Sequence, residues 1–247
     1  CALPILYLMA EAARHAYRLR NRHVADMNFA EVPVDRMLST QEAESIRAQI
    51  DMGKAGAVTR DDFIQHKDTT YLCVVDKDRN AVSLINSLYS HYGSGITAPK
   101  SGVVLQNRGE GFVLREDHPN CIAPGKRPMH TIIPGMMMKD GQAVMPFGVM
   151  GGDFQPIGHT MVTTGMLDFG MDPQDAIAQP RAFPYEGKVQ LEPAIPESVA
   201  EDLRRRGHQV ERTDSPPGGG QAIWIDHERG VLIGGSEPRK DGCAFGY

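Results

Sequence analysis

Asp68-Thr69-Thr70-Tyr71-Leu72-Cys73-Val74-Val75-Asp76-Lys77-Asp78-Arg79-Asn80-Ala81-Val82-Ser83-Leu84-Ile85-Asn86-Ser87-Leu88 is the stretch on which the fold turns. β-Branched and aromatic residues crowd 70–75 and 81–88, and the polar run between them carries turn chemistry. The spacing predicts a β-hairpin. A polar connector at 61–68 runs straight into it, so a threonine leads the first strand.

Outward from the hairpin, strand texture recurs at 102–105, 131–138 and 143–149, with Lys139-Asp140-Gly141 as the tight turn between the last two. Further strands are expected at 189–191, 209–212, 221–225 and 231–233. Helical spacing precedes and separates these runs. Leu6, Met9, Ala13, Ala16 and Tyr17 share one face of a first helix, leaving Arg14, His15, Arg18 and Arg22 for a solvated basic side. Ser39 and Glu42 have capping-box spacing, Ala43, Ile46 and Ile50 supply an apolar stripe, and Gly53 and Gly56 end that helix. The helical period returns at 157–169. Asp172-Pro173 caps a short helix that stops at Pro180. Another helix runs from Pro196 to Gly207, with Arg204, Arg205 and Arg206 on a solvated last turn where cations suit the dipole. Gly218-Gly219-Gly220 reads as a flexible loop. Strands in runs and helices in runs argue for an α+β layered fold.

With 247 residues, 41% apolar and 23% charged, the chain has the composition of a globular protein and length enough for a sizeable core. A net charge of −5 argues against a broad nucleic-acid surface. No apolar run reaches the ~18 residues of a membrane-spanning helix. The four cysteines show no metal spacing, and His118 with Cys121 lacks a second pair, so no metal site is expected. No P-loop, GxSxG elbow, HExxH or dinucleotide fingerprint occurs. The chain opens on Cys1 rather than Met and enters a helical pattern at once, which reads as a fragment; no function is assigned to residues 1–5.

Two places invite a chemical reading: the threonine-led strand at Asp68-Thr69-Thr70, and Val149-Met150-Gly151-Gly152-Asp153, where a strand ends in paired glycines whose amides can face a ligand. Thr69-Thr70 with Val74-Val75-Asp76-Lys77-Asp78, Asn80-Ala81-Val82, Gly93-Ser94-Gly95-Ile96, Lys126-Arg127-Pro128, Gly151-Gly152 and the terminal Gly246-Tyr247 follow in an order and spacing that resembles the gamma-glutamyltranspeptidase family of N-terminal-nucleophile hydrolases, including its acylase-like branch. The resemblance covers nearly the whole chain. It implies a four-layer αββα sandwich, incomplete here because the family's larger N-terminal portion is missing. Residues 1–68 would be the tail of the large subunit and 69–247 the complete small, catalytic one.

The resemblance further implies self-cleavage between Asp68 and Thr69, which makes Thr69 a chain end. A threonine hydroxyl is a weak nucleophile until a base takes its proton, and an α-amine with a reference pKa of about 7.7–8.0 is far better matched to that task than a lysine amine. Gly151 and Gly152 fall on the family's oxyanion hole. Its second threonine falls on Ser87, which retains a hydroxyl. Departures gather in the substrate-binding positions: Tyr89 replaces an asparagine, Arg108 and Gly111 replace the glutamine and aspartate that grip an α-ammonium, and His130-Thr131 replaces a serine pair at the α-carboxylate. Arg108 changes the local preference from ammonium to carboxylate; the alternative is a surface pair with Glu110 or Asp117. The expected function is hydrolysis or transfer of γ-glutamyl or glutaryl-like amides, glutathione-type substrates included, without metal or organic cofactor. The other reading is an inactive or uncleaved homologue with a binding or assembly role. The expected partners are the small acyl-amide substrate and the missing large-subunit portion, not nucleic acid, and the fragment alone is expected to be inactive. Localisation stays open, between bacterial cytoplasm and export.

Overall fold

The computed structural model describes residues 3–57, 68–215 and 217–247. The connector at 61–68, except for the backbone of Asp68, lies outside the described residues, as do Cys1 and Ala2. In chain order the elements begin with helices α1 (Leu3–His23), α2 (Val34–Met37) and α3 (Thr40–Gln49). Strands β1 (Asp68–Val75), β2 (Ala81–Tyr89), β3 (Gly135–Lys139) and β4 (Gln142–Met150) follow, then α4 (Gln155–Leu167) and α5 (Pro173–Ala178). The chain closes with β5 (Ala182–Tyr185), β6 (Lys188–Leu191), α6 (Glu197–Arg205), β7 (Gln209–Arg212), β8 (Gly219–Asp226) and β9 (Val231–Ser236). These pack as two units. Cys1–Ile64, Arg108–His130 and Pro180–Pro216 form the first; Gln65–Asn107, Thr131–Gln179 and Pro217–Tyr247 form the second.

The second unit is built on the hairpin. Asp76 Oδ1 accepts from the N–H groups of Asp78 and Asn80, each at 2.9 Å, and this closes the turn between β1 and β2. A separate antiparallel sheet has the order β3-β4-β8-β9. Its β3–β4 turn uses Asp140 (φ 51°) and Gly141 (φ 79°), the paired positive φ values that a two-residue turn matching strand twist requires. The sheets stack. A Cβ on Gly148 of β4 would lie 2.4 Å from the Tyr71 ring, so only glycine admits that ring, and Ser83 Oγ donates to the Phe147 carbonyl at 3.4 Å. Strand alternation then turns Val149 to the opposite face, where it meets Gly158 of α4, while Ile177 of α5 lies on Gly220 of β8. The order of layers is hairpin, four-stranded sheet, helices. The outer face of the hairpin carries Leu72, Val74, Val82 and Leu84, exposed by 44–50%.

In the first unit β6 pairs antiparallel with β5 and parallel with β7, and α6 makes the crossover that a parallel pair needs. Tyr7, Ala10, Val189, Leu191, Ile195, Val199, Ala200 and Leu203 form its core.

Several expectations are corrected. The buried stripe of α1 is Tyr7, Ala10, Ala13 and Tyr17 together with Glu11 and Arg14, whereas Ala16 is exposed. Arg14 leaves the solvated side because Glu11 Oε1 and the Gly56 carbonyl, both 2.8 Å from its Nη1, satisfy it inside. Ser39 caps α3 as expected, accepting from the Glu42 N–H at 3.1 Å, but the helix ends at Ile50 before either glycine, and none of its residues is buried. The last turn of α6 is not wholly solvated. Arg206 pairs with Asp202 at 2.8 Å, lies 4.6 Å over the Tyr7 ring and donates to the Met52 carbonyl. Residues 102–105 make one isolated bridge, Thr97 with Val104, rather than a strand, and 131–134 precede β3. Gly219 and Gly220 belong to β8, paired with Met150 and Val149, not to a loop.

Candidate functional site

The head of β1 is irregular. Asp68 faces Tyr89 and Thr70 faces Asn86, so two steps along β1 span three along β2. A bulge re-aims the side chains beside it. Here it brings Thr69 Oγ1, half-buried, to donate to Ser87 Oγ at 3.3 Å, while Ser87 Oγ also accepts from the Tyr89 N–H at 3.0 Å. Tyr89, buried to 3% exposure, adopts φ 80°, a left-handed conformation that a residue with a Cβ takes at a cost.

The second element of the site is the turn from β4 into α4. Gly151 (φ 122°) and Gly152 (φ 58°) reverse the chain, a single 3-10 turn covers Gly152–Phe154, and the Phe154 N–H donates to the Gly151 carbonyl at 3.1 Å. A Cβ at Gly151 would stand 2.6 Å from the Gly218 Cα, so both conformation and space demand glycine. β3 pairs with β4 only as far as Phe147, and beyond that point the Val149 N–H finds His159 Nε2 of α4 at 3.1 Å. Burial pushes the His159 imidazole down to about 4, which keeps Nε2 a proton acceptor. On β1, burial raises the Cys73 thiol to about 11, so it stays protonated.

The remaining expected site residues divide between the units. Thr131 belongs to the second unit, half-buried; Arg108 and His130 belong to the first. Arg108 opens a 3-10 turn with 3% exposure, so it is not a surface residue, and Asp117 lies beside Arg115 at 3.9 Å. Asn120 closes that segment, donating to the Gly111 carbonyl at 2.7 Å and accepting from the Met129 N–H at 3.1 Å. His130 is exposed and hydrogen-bonds the Pro128 carbonyl through Nδ1 at 2.7 Å. His118 has Nε2 on the Asn21 carbonyl at 2.9 Å and Nδ1 accepting from the Asn120 N–H at 3.0 Å. Among the described residues no cluster of three His, Cys, Asp or Glu side chains could hold a metal ion. Sequence patterning does not single out His159, Glu237 or Arg239, and Gly218, outside β8, lies packed against Gly151 and the Phe154 ring.

Stacked antiparallel sheets, a threonine near the head of the first strand and a glycine turn beneath a helix make an α+β fold of the kind seen in solved acylase and gamma-glutamyltranspeptidase structures. The chain belongs to the gamma-glutamyltranspeptidase family, whose model matches residues 4–247. It is 38% identical over 97% of its length to the glutathione hydrolase-like YwrD proenzyme of Bacillus subtilis, covering 47% of that protein. It is 32% identical over 98% of its length to the oxamate amidohydrolase proenzyme of Klebsiella pneumoniae, again covering 47%. Among solved structures, cephalosporin acylase from Bacillus halodurans matches 96% of the chain at 39% identity with a TM-score of 0.86, the chain covering 44% of it. The chain therefore spans about half the length of the curated relatives it matches.

Proposed function

We propose that the chain is the C-terminal portion of an autoprocessing threonine hydrolase or acyltransferase, cut between Asp68 and Thr69. Thr69 Oγ attacks the Asp68 carbonyl carbon, the Asp68–Thr69 C–N bond breaks as an ester forms, and water hydrolyses the ester. The products are an Asp68 carboxylate, a free Thr69 hydroxyl and a new α-amine. In turnover that amine takes the Oγ proton, Oγ attacks the acyl carbonyl of an amide, and the N–H groups of Gly151 and Gly152 stabilise the oxyanion. The proton passes to the leaving amine, and water or an acceptor amine releases the acyl group.

The observation that carries this reading is the Thr69–Ser87 hydroxyl bond at the bulged head of β1. The direction of the β4 contacts supports it. Phe147 lies beside Ser83, which faces Cys73, and Gly148 lies beneath Tyr71, so the next step along β4 leads from Thr69 toward the glycine turn. Residues 1–68 are then the tail of a large subunit and 69–247 the small one; this boundary is covalent and need not follow the packing units. The apolar outer face of the hairpin supports a fourth, helical layer supplied by the rest of the full-length protein.

Arg108, carried in place of a neutral acceptor and buried, supports an acyl group bearing a carboxylate and lacking the α-ammonium, such as a glutaryl amide. Relatives named as acylases and as glutathione hydrolases fit the same chemistry. In full-length protein, Thr69→Ala should abolish both cleavage, read by intact mass, and hydrolysis of glutaryl and γ-glutamyl anilides. Acylase activity that survives this change would overturn the assignment, and a wild-type protein that never splits before Thr69 would favour the inactive-homologue reading. Arg108→Gln should lower turnover of the glutaryl anilide selectively; a strong preference of the wild type for the γ-glutamyl anilide would refute the substrate class.

A further inference from the structure

We propose that Glu237 and Arg239 are positioning residues for the Gly151–Gly152 turn, acting through the glycine track Gly218–Gly220. The inference rests on the oxyanion role proposed above. Gln221 pairs with Ser236 in the β8–β9 ladder, so Gly220 would next face Glu237, but β9 ends at Ser236. The Glu237 side chain takes over. Its Oε2 accepts from the Gly220 N–H at 2.9 Å with the residue 1% exposed, a carboxylate doing the work of a strand carbonyl.

The carboxylate is itself held. Glu237 Oε1 accepts from Arg239 Nη1 at 2.7 Å and from the Arg239 N–H at 3.2 Å. The same guanidinium donates to the carbonyls of Ile177 (3.3 Å), Ala178 (3.0 Å) and Gln179 (3.0 Å) at the end of α5. Those carbonyls lack intrahelical partners and carry the negative end of the helix dipole, so a cation suits them. A continuous chain of bonds runs from α5 through Arg239 and Glu237 to Gly220.

From Gly220 the coupling to the turn is steric. Gly220 and Gly219 pair with Val149 and Met150, and Gly218 lies under Gly151, where any added Cβ would stand 2.6 Å from its Cα. A Cβ on Gly218 would in turn meet the Phe154 ring at 2.5 Å and the Met150 carbonyl at 2.9 Å. If the track shifts, the two amides move with it. Misplacing a reacting geometry by about 1 Å costs roughly a hundredfold in rate, and substrate contacts made elsewhere are untouched.

The test uses full-length protein carrying Glu237→Gln or Arg239→Lys, each compared with wild type on a glutaryl anilide. The expected result is kcat lowered about tenfold to a hundredfold with KM within about threefold, in folded and cleaved protein. A boronate mimic of the tetrahedral intermediate should lose affinity in parallel, while glutarate, a ground-state ligand, should not. Unchanged kcat in a folded variant, or boronate and glutarate weakening together, would overturn the proposal. Should Glu237→Gln fail to fold, Arg239→Lys, which keeps the charge but cannot span three carbonyls, decides by the same readings. Thr69→Ala separates the failures: activity persisting there defeats the nucleophile assignment itself, not the positioning pair.

Discussion

Thr69, Ser87, Gly151 and Tyr89 each bear a constraint that a single side chain decides. At Gly151 the φ of 122° and the 2.6 Å approach to Gly218 act together. Gly151→Ala should therefore destabilise the full-length protein by roughly 2–4 kcal/mol in denaturant titration and abolish turnover. A stable, active alanine variant would mean that the turn relaxes freely. Tyr89 poses the opposite balance. Its φ of 80° suits the asparagine of the family pattern, yet its ring is buried. Tyr89→Asn should relieve about 1 kcal/mol of backbone strain and forfeit more than that in burial, leaving a net loss of ~1–2 kcal/mol. At this scale the resemblance picks out the threonine, the serine and the glycine pair by residue type, and the structure adds the Thr69–Ser87 hydrogen bond. The burial of Arg108 was not legible, because a local charge pattern says nothing about which distant segments cover it.

Among the elements, two histidines link one element to another. His159 of α4 accepts the Val149 N–H of β4, and His208, beside β7, lies 3.4 Å from Arg14 and 3.3 Å from Glu11 of α1. Burial lowers both to about 4, and for His208 the Arg14 charge adds to it. Unfolded, each takes a proton near the ordinary value of about 6.5, whereas the folded forms stay neutral until about pH 4. Stability is thus fully present above about pH 6.5, falls as the pH drops, and levels off below about pH 4, by up to roughly 3 kcal/mol for each histidine. Denaturant midpoints of the full-length protein between pH 8 and 4.5 should show this decline, and His159→Asn should shrink it; a flat profile would refute buried neutral imidazoles. Elements with strong local signals were legible: the hairpin turn, the Ser39 and Asp172 caps and the Asp140-Gly141 turn. β5, with Pro184 inside four residues, and α2, a single turn, carry signals too short to read.

For the molecule as a whole, the hairpin stays a two-stranded sheet whose outer apolar face is exposed among the described residues. Such a surface drives association unless something covers it. The 247-residue chain is expected to run as an oligomer or aggregate in size-exclusion chromatography and to show no turnover. Val74→Lys with Leu84→Lys should shift it toward monomer, and the same pair in full-length protein should cost about 2–4 kcal/mol, because the proposed helical layer would bury that face. A monomeric wild-type chain, or one with turnover comparable to its parent, would count against a missing layer.

Local chemistry was enough to mark the hairpin, its turn and the helix caps, and the order of short motifs along the chain carried the resemblance to the family, because turns, caps and motifs depend on neighbours in the chain. Tertiary structure alone decided that Gly219 and Gly220 open a strand paired with the end of β4, with Gly218 packed under the Gly151–Gly152 turn, that Glu237 stands in for a missing strand carbonyl, and that Arg14 lies inside. Those outcomes depend on segments tens of residues apart meeting in space, and no window of sequence records which partner will satisfy a buried charge or fill the room a glycine leaves.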